Sequence, residues 1–339
     1  MKYILNETPI RTTNGFNINN IELNLDIPTK CMFHDYNISS LDNLNISSSY
    51  NNNFESLIGL KHNSYKNTTI NLDKSHNKLI NVEYEFKDND DLIDNIDINI
   101  SENTENNVFI NYHTIDNYKH FHNGNININI ENNASLNLTI LNLFNSESIN
   151  FLSSTINCKN NSEVIINLID LSGKIRLYNF KSNAKNKSRS ILNNIYVGKK
   201  NEIIDLNYHY INEEELSFNN IEVQGILKDD ARKSFKGIID FLENSKKSVG
   251  RENENCLLLS NTCVSKSLPI LLCHEEDVDG THSVSSGKID DNKMFYLMSR
   301  GIDEKEAKKI IIKANFNAIL NNIPDSLRES ISNTIDEII

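Results

Sequence analysis

Between residues 80 and 211 apolar and polar residues exchange places at every second position in a series of short segments: INVEYEF (80–86), IDINI (96–100), NVFINYH (107–113), NININI (125–130), SLNLTILNLF (135–144), VIINLIDL (164–171) and IIDLNYHYI (203–211). A period of two sends successive side chains to opposite faces, so each segment is a strand with one dry side. Asn-rich breaks such as ENNAS, CKNNSE and GKKNE separate them, with no helical period between. That restricts the chain to a sandwich, a barrel or a solenoid of stacked rungs. Three details favour the solenoid. The breaks are built of Asn, Ser and Lys, and the one hairpin-like Asn-Gly pair in this region is Asn123-Gly124. Ile and Leu, which stack on themselves from rung to rung, dominate the apolar positions. The pattern also runs for over a hundred residues without a long helix.

The rhythm divides the chain into three parts. Residues 1–74 hold weakly patterned short strands and loops, with the turn-rich stretch NISSLDNLNISSSYNNNFES at 37–56; residues 75–289 form the β core; residues 290–339 turn helical. In the tail, KMFYLMSRG reads as a short helix, with Asp290 or Asp291 as its cap, Arg300 at its negative end and Gly301 in a left-handed C′ position. Asp303 and Glu306 then make a capping-box variant. Ala307, Ile310, Ile311, Ala314 and Ala318 follow at helical spacing, Pro324 stops that helix, and Leu327, Ile331, Ile335 and Ile338 lay one stripe on the last.

A formal net charge of −12 denies the chain an electrostatic footprint for nucleic acid or an anionic membrane. No apolar run reaches the length of a span, and the N-terminus lacks the form of a secretory signal. Five cysteines at irregular spacings, Cys31, Cys158, Cys256, Cys263 and Cys273, with no CxxC, suit a reducing compartment. The expectation is a soluble, cytoplasmic protein.

Few motifs carry chemistry. SSGKID ends like a phosphate loop, but the positions of the first glycine and of the Ser or Thr after the lysine hold His282 and Ile289, so no nucleotide site is expected. His113, His120 and His122 lie close together, and alternation puts the last two on one face, a spacing able to bind metal; a half-exposed strand surface is the preferred reading. Cys256, Cys263 and the run Cys273-His274-Glu275-Glu276 could receive sulfur or bind iron, although neighbours on a strand point apart. Buried thiols in a strand pair account for them more simply.

From SFKGIIDF onward the chain resembles the SufB/SufD family of iron-sulfur cluster assembly proteins. The resemblance rests on F-x-G-x-I (Phe235 to Ile239), LLLS (Leu257 to Ser260), P-x-L (Pro269 to Leu271), a histidine followed by G-K-I-D, and FYL-x-SRGI (Phe295 to Ile302). It implies a right-handed parallel β-helix with a C-terminal helical domain. It further implies pairing with a SufB-like subunit, docking of a SufC-like ABC ATPase on the tail, and contact through that complex with a cysteine desulfurase or sulfur carrier.

SufB-type members carry a scaffold cysteine where this chain has Glu254, and an E-H-E triplet where it has Thr281-His282-Ser283. Retention of the histidine alone resembles SufD-type members, some of which have a cysteine at the position of Gly280. The resemblance therefore implies a non-catalytic assembly subunit. His282 is its candidate ligand for transient iron or an iron-sulfur cluster at a subunit junction, with Cys256 and Cys273 as thiol candidates and Met294, Phe295, Tyr296 and Arg300 as candidates for ATPase docking. Two other readings compete: a carbohydrate-active β-helix enzyme, for which DNDDLIDNID (88–97) supplies acids but no nearby arginine, and an assembly protein with some other ATPase.

Overall fold

The computed structural model describes residues 1–10, 16–34, 37–39, 45–76 and 78–338; of the turn-rich stretch 37–56, residues 40–44 lie outside the described residues. The alternating segments form two nine-stranded sheets, and from Ile80 onward successive strands fall in opposite sheets. The front sheet contains Asn37–Ser39, Ile80–Phe86, Glu105–Thr114, Ser135–Leu143, Glu163–Ser172, Arg189–Gly198, Phe218–Leu227, Val249–Leu258 and Asp279–Gly287, in that spatial order. The back sheet contains Asn45–Glu55, Lys61–Leu72, Asp91–Ile100, Phe121–Ile130, Ile149–Cys158, Ile175–Ala184, Ile203–Asn212, Arg232–Phe241 and Val264–Cys273. From Lys61 onward all strand neighbours within a sheet are parallel, so the chain coils as a flattened β-solenoid rather than folding back in hairpins.

The register explains the repetition. Ile70, Ile98, Ile128, Ile156, Ser182, Tyr210, Ile239 and Leu271 are consecutive partners across the back sheet, one turn of coil every 26 to 32 residues. All but the last are buried. Outside that column, Asn71, Asn99, Asn129, Asn157 and Asn183 form a ladder in which each side-chain amide donates to the carbonyl oxygen of the Asn one rung below, at 2.9–3.0 Å. Parallel in-register stacking puts like on like, so a short amide links to its own kind as an isoleucine packs on its own kind. The high Asn content has this physical use.

Asparagine has a second use at the turns. Asn103, Asn133, Asn161, Lys187, Leu216 and Lys247 occupy equivalent corners with φ between 56 and 60°. Each donates its backbone N–H to a carbonyl of the next corner, at 2.6–3.2 Å. Asn tolerates this left-handed region far better than Leu does. Asn123-Gly124, by contrast, lies inside a strand, where a Cβ on Gly124 would sit 2.6 Å from the His122 ring. It is a space-maker and not a hairpin.

Each sheet also has its outer face covered. Leu5, Leu23 and Leu25, on or beside the antiparallel strands Lys2–Leu5 and Ile21–Asn24, pack on Ile93, Phe121, Ile149, Phe151 and Leu177 of the back sheet. Asn6 (φ 52°) clamps this flap, its amide on Asp205 Oδ1 and its carbonyl accepting from Lys236 Nζ, which is ion-paired with Asp205. On the other side the helical tail consists of α1 (Asp291–Ser299), α2 (Glu304–Leu320) and α3 (Asp325–Ile338), and α2 and α3 meet Phe109, Leu141, Ile169, Ile195, Val197 and Ile226 of the front sheet. Asp290 and Asp303 cap the first two helices as expected, and Gly301 takes φ 88°.

The stripe expected on α2 is only partly the one that buries. Ala307 is buried, but Ile310, Ala314 and Ala318 are exposed, and Ile312, Phe316, Ile319 and Leu320 face the sheet instead. The bulkier row wins because the sheet's apolar stripe offers more area to cover. On α3 the expected Ile331 and Ile335 are buried.

Leu216→Gly should raise the unfolding free energy by about 1 kcal/mol, since a left-handed backbone costs a branched residue more than glycine's added chain entropy. Urea midpoints of the two proteins check this, and an unchanged or lower midpoint would contradict the corner assignment.

Candidate functional site

The coil stops at one rung, formed by Val264–Cys273 and Asp279–Gly287, and among the described residues each of these strands is paired along one edge only. His282 lies on the second. Its register partners run Glu252, Ile221, Leu192, Ile166, Leu138 and Val108, a column that faces the interior. Without a rung above it, His282 is exposed. A residue placed to point into the coil therefore stands at its open mouth.

Directly beneath, the interior ceases to be apolar. Glu252, Glu254 and Cys256 follow one another on the inward side of Val249–Leu258, and Lys233 reaches them from the back sheet; none is more than 2% exposed. Lys233 Nζ is ion-paired with Glu254 Oε1 and donates to Ser267 Oγ at 2.9 Å. Ser267 Oγ donates to Glu254 Oε2 at 2.5 Å, and Tyr196 OH to Oε1 at 3.3 Å, so the Glu254 carboxylate is fully engaged. Removing Lys233 would leave that charge buried and unpaired, a loss of roughly 3–5 kcal/mol.

Glu252 is different: neither carboxyl oxygen has a hydrogen-bond partner among the described residues. Burial, with the Glu254 charge adding to it, raises its carboxyl well above the usual range, so the folded chain holds this proton more tightly than the unfolded chain does. Gly237 makes the space, because a Cβ there would come within 2.3 Å of Oε1.

The candidate thiols separate. Cys256 is sealed in the front sheet, where burial raises its pKa despite nearby Lys233. Cys273 is exposed at the end of a back-sheet strand, and Cys263 is half-buried with Sγ 3.1 Å from the Ser260 carbonyl. The expectation of a buried thiol pair is thus overturned, since consecutive strands here belong to opposite sheets. Cys158 is likewise sealed, pushed up to about 12 by burial. A thiolate, the reactive form, is disfavoured at both buried positions.

The histidine cluster is corrected too. His120 and His122 are fully buried rather than half-exposed, and His113 lies on the other sheet. His122 bridges Asp94 (3.0 Å) and Asn150 (2.7 Å) inside the coil, and His120 bridges Asp116 (2.7 Å) and the Asp90 carbonyl (2.9 Å). Both are satisfied core histidines. Among the described residues no three His, Cys, Asp or Glu side chains form a ready-made metal cage.

In the tail α1 has no buried residue. Phe295 is 75% and Tyr296 58% exposed, so neither packs in a core. Met294 and Leu297 are half-buried, and the Arg300 guanidinium lies 5.3 Å from the Tyr296 ring centre. Tyr296 and Leu297 share a groove with Ile310, Ile311 and Ala314. Sequence reasoning named His282 and the aromatic helix as candidates and did not single out Lys233 and Glu252. ENEN reads as solvated charge, and only the register with Ile221 and Val223 turns its glutamates inward.

The pH dependence of Glu252 follows from the direction of its shift. The folded chain keeps this proton above the pH, about 4.3, at which the unfolded chain releases it, so stability falls as pH rises through that window until the folded carboxyl ionises. Glu252→Gln removes the slope. Its stability relative to the wild type should grow from pH 5 to pH 8 by up to about 1.4 kcal/mol per unit, read by urea unfolding at both pH values; a difference independent of pH would contradict a protonated Glu252.

The family model for the SUF system FeS cluster assembly SufBD core domain matches residues 85–315. The chain is 34% identical over 100 residues to the iron-sulfur cluster assembly protein SufD of Bacillus subtilis, covering 30% of this chain and 23% of that one. It is 35% identical over 89 residues to SufD of Escherichia coli (26% and 21%). An iron-sulfur cluster assembly SufBD family protein of Pyrococcus horikoshii is 34% identical over 80 residues (24% and 18%). Each alignment spans less than a quarter of the relative's own length.

Proposed function

Because the chain belongs to the SufBD family of iron-sulfur cluster assembly proteins, we propose that it is a SufD-like subunit which joins a SufB-like partner at its open rung and docks a SufC-like ABC ATPase on α1. The observation that carries this reading is the placement of His282: exposed, on the last strand of the coil, whose outer edge no described strand pairs with. Unpaired edge strands are surfaces for another chain.

At such a junction the imidazole of His282, when neutral, offers a nitrogen to nascent iron, which here is cargo. The soft sulfur ligands come from the partner or from Cys273, since Cys256 is sealed and Gly280 supplies none. The Glu254 position, a cysteine in SufB-type chains, is committed to its ion pair and holds no cargo. Lys233 and Glu254 instead keep the rung under His282 rigid. Energy reaches the junction mechanically. ATP-driven closure of the partner ATPase pulls on α1, whose exposed Phe295, Tyr296 and Met298 form a contiguous apolar face with Arg300 stacked at its end. Helices α2 and α3, bound to the front sheet, transmit the pull to the coil.

In a reconstituted complex, His282→Ala should slow cluster assembly about tenfold or more while melting temperature and ATPase copurification stay unchanged. Wild-type assembly rates would reduce His282 to a rim residue. Tyr296→Ala with Arg300→Ala should weaken ATPase binding about tenfold or more without loss of fold, measured by pull-down and circular dichroism; full recovery of the ATPase would place docking elsewhere.

A further inference from the structure

Of the three tail helices α1 is the least anchored. Helices α2 and α3 bury Ile312, Phe316, Ile319, Ile331 and Ile335, whereas none of the nine residues of α1 is buried. Its polar contacts close on themselves. The Asn292 N–H donates to the cap Asp290 at 2.8 Å, Ser299 Oγ to the Tyr296 carbonyl at 2.8 Å, and the Gly301 N–H to the Met298 carbonyl at 3.0 Å. Both ends are thereby capped, so the helix keeps its shape as a unit.

Space flanks α1 on two sides. Met294 and Met298 line a cleft of about 580 Å³ with Leu258 and Leu259 at the end of a front-sheet strand. Tyr296 and Leu297 line a groove of about 400 Å³ with Ile310, Ile311 and Ala314 of α2. Apolar groups face each other across each void, where close packing would favour contact, and one rigid helix cannot fill both at once. The chain enters α1 shortly after Gly287, the last residue of the strand that carries His282, and leaves it through Gly301. At either glycine a Cβ would meet no atom within 4 Å, so no packing resists rotation there. Residues at the ends of elements are where hinge motion is absorbed.

We propose that α1 is a hinged arm, swinging as one body about Gly287 and Gly301 between two seats. In one, Met294 and Met298 close on Leu258 and Leu259; in the other, Tyr296 and Leu297 close on Ile310, Ile311 and Ala314. Both seats are apolar and alike in kind, so a partner that binds the helix better in one of them sets the balance. Because Gly287 ends the His282 strand, the arm draws directly on the strand whose outer edge no described strand pairs with. The swing is a property of the chain alone. Its use, coupling an ATPase on α1 to His282, rests on the function proposed above.

The chain's four methionines supply the test: Met294 and Met298 report on α1, and Met1 and Met32 are controls. In the isolated full chain with methyl-labelled methionine, relaxation dispersion at Met294 and Met298 should fit one common exchange rate on the μs–ms timescale. Ala314→Leu, at an exposed position, fills the α2 groove and should move both methyl signals while Met1 and Met32 stay in place. Met294 and Met298 line the opposite cleft, so a change at Ala314 reaches them through movement of the helix. A common rate, or a joint shift with flat dispersion from a faster swing, supports the arm. Flat dispersion without a joint shift, or different rates at the two methyls, overturns it. That result leaves the docking test on Tyr296 and Arg300 standing, and a failed docking test leaves the swing standing.

Discussion

The backbone ladder between parallel rungs is the constraint on which the rest of the structure depends. It holds each residue directly above one counterpart, so that what suits one rung is offered again to the next. Isoleucine accumulates inside for this reason, and asparagine outside. A single polar residue entering an inward column must find its own answer: His122 finds Asp94 and Asn150, and Arg176 finds Asp170 and Glu202. Register converts a local substitution into a local network.

The same constraint decides what the sequence discloses. The coil was legible because period-two segments with Asn-rich corners are its direct signature, and both early helix caps were legible because capping is local. Other features depend on facts far away in the chain. ENEN at 252–255 is inward only because Ile221 and Val223 lie beneath it. The face of α2 that buries is selected by Ile169 and Ile195, more than a hundred residues earlier. The histidines at 113–122 looked like a surface cluster because adjacency in sequence gives no hint that adjacent strands diverge to separate sheets. The flap carrying Asn6 gave only a weak periodic signal, and its anchor is an ion pair on strands two hundred residues distant.

The candidate site is therefore composite. His282 and the aromatic helix came from short-range motifs, whereas their support came from the tertiary structure. Lys233, Glu254 and Tyr196 form a buried network that half-buried Ser267 ties to the last rung, and helices α2 and α3 pack on the front sheet. An exposed imidazole on a bare edge strand would otherwise be among the most mobile parts of the chain.

The two ends of the stack are unlike. At the beginning, Asn37–Ser39 and Asn45–Glu55 run against the direction of their neighbours, and the longer of them is dressed in Asn and Ser. At the finish the strands keep the common direction and, among the described residues, no further strand pairs with their outer edges. A rod with one blunted tip and one bare tip could be joined but not chained: two such rods meeting tip to tip would exhaust their open edges, a self-terminating geometry that would spare a repetitive, strand-rich polypeptide from growing into a fibre.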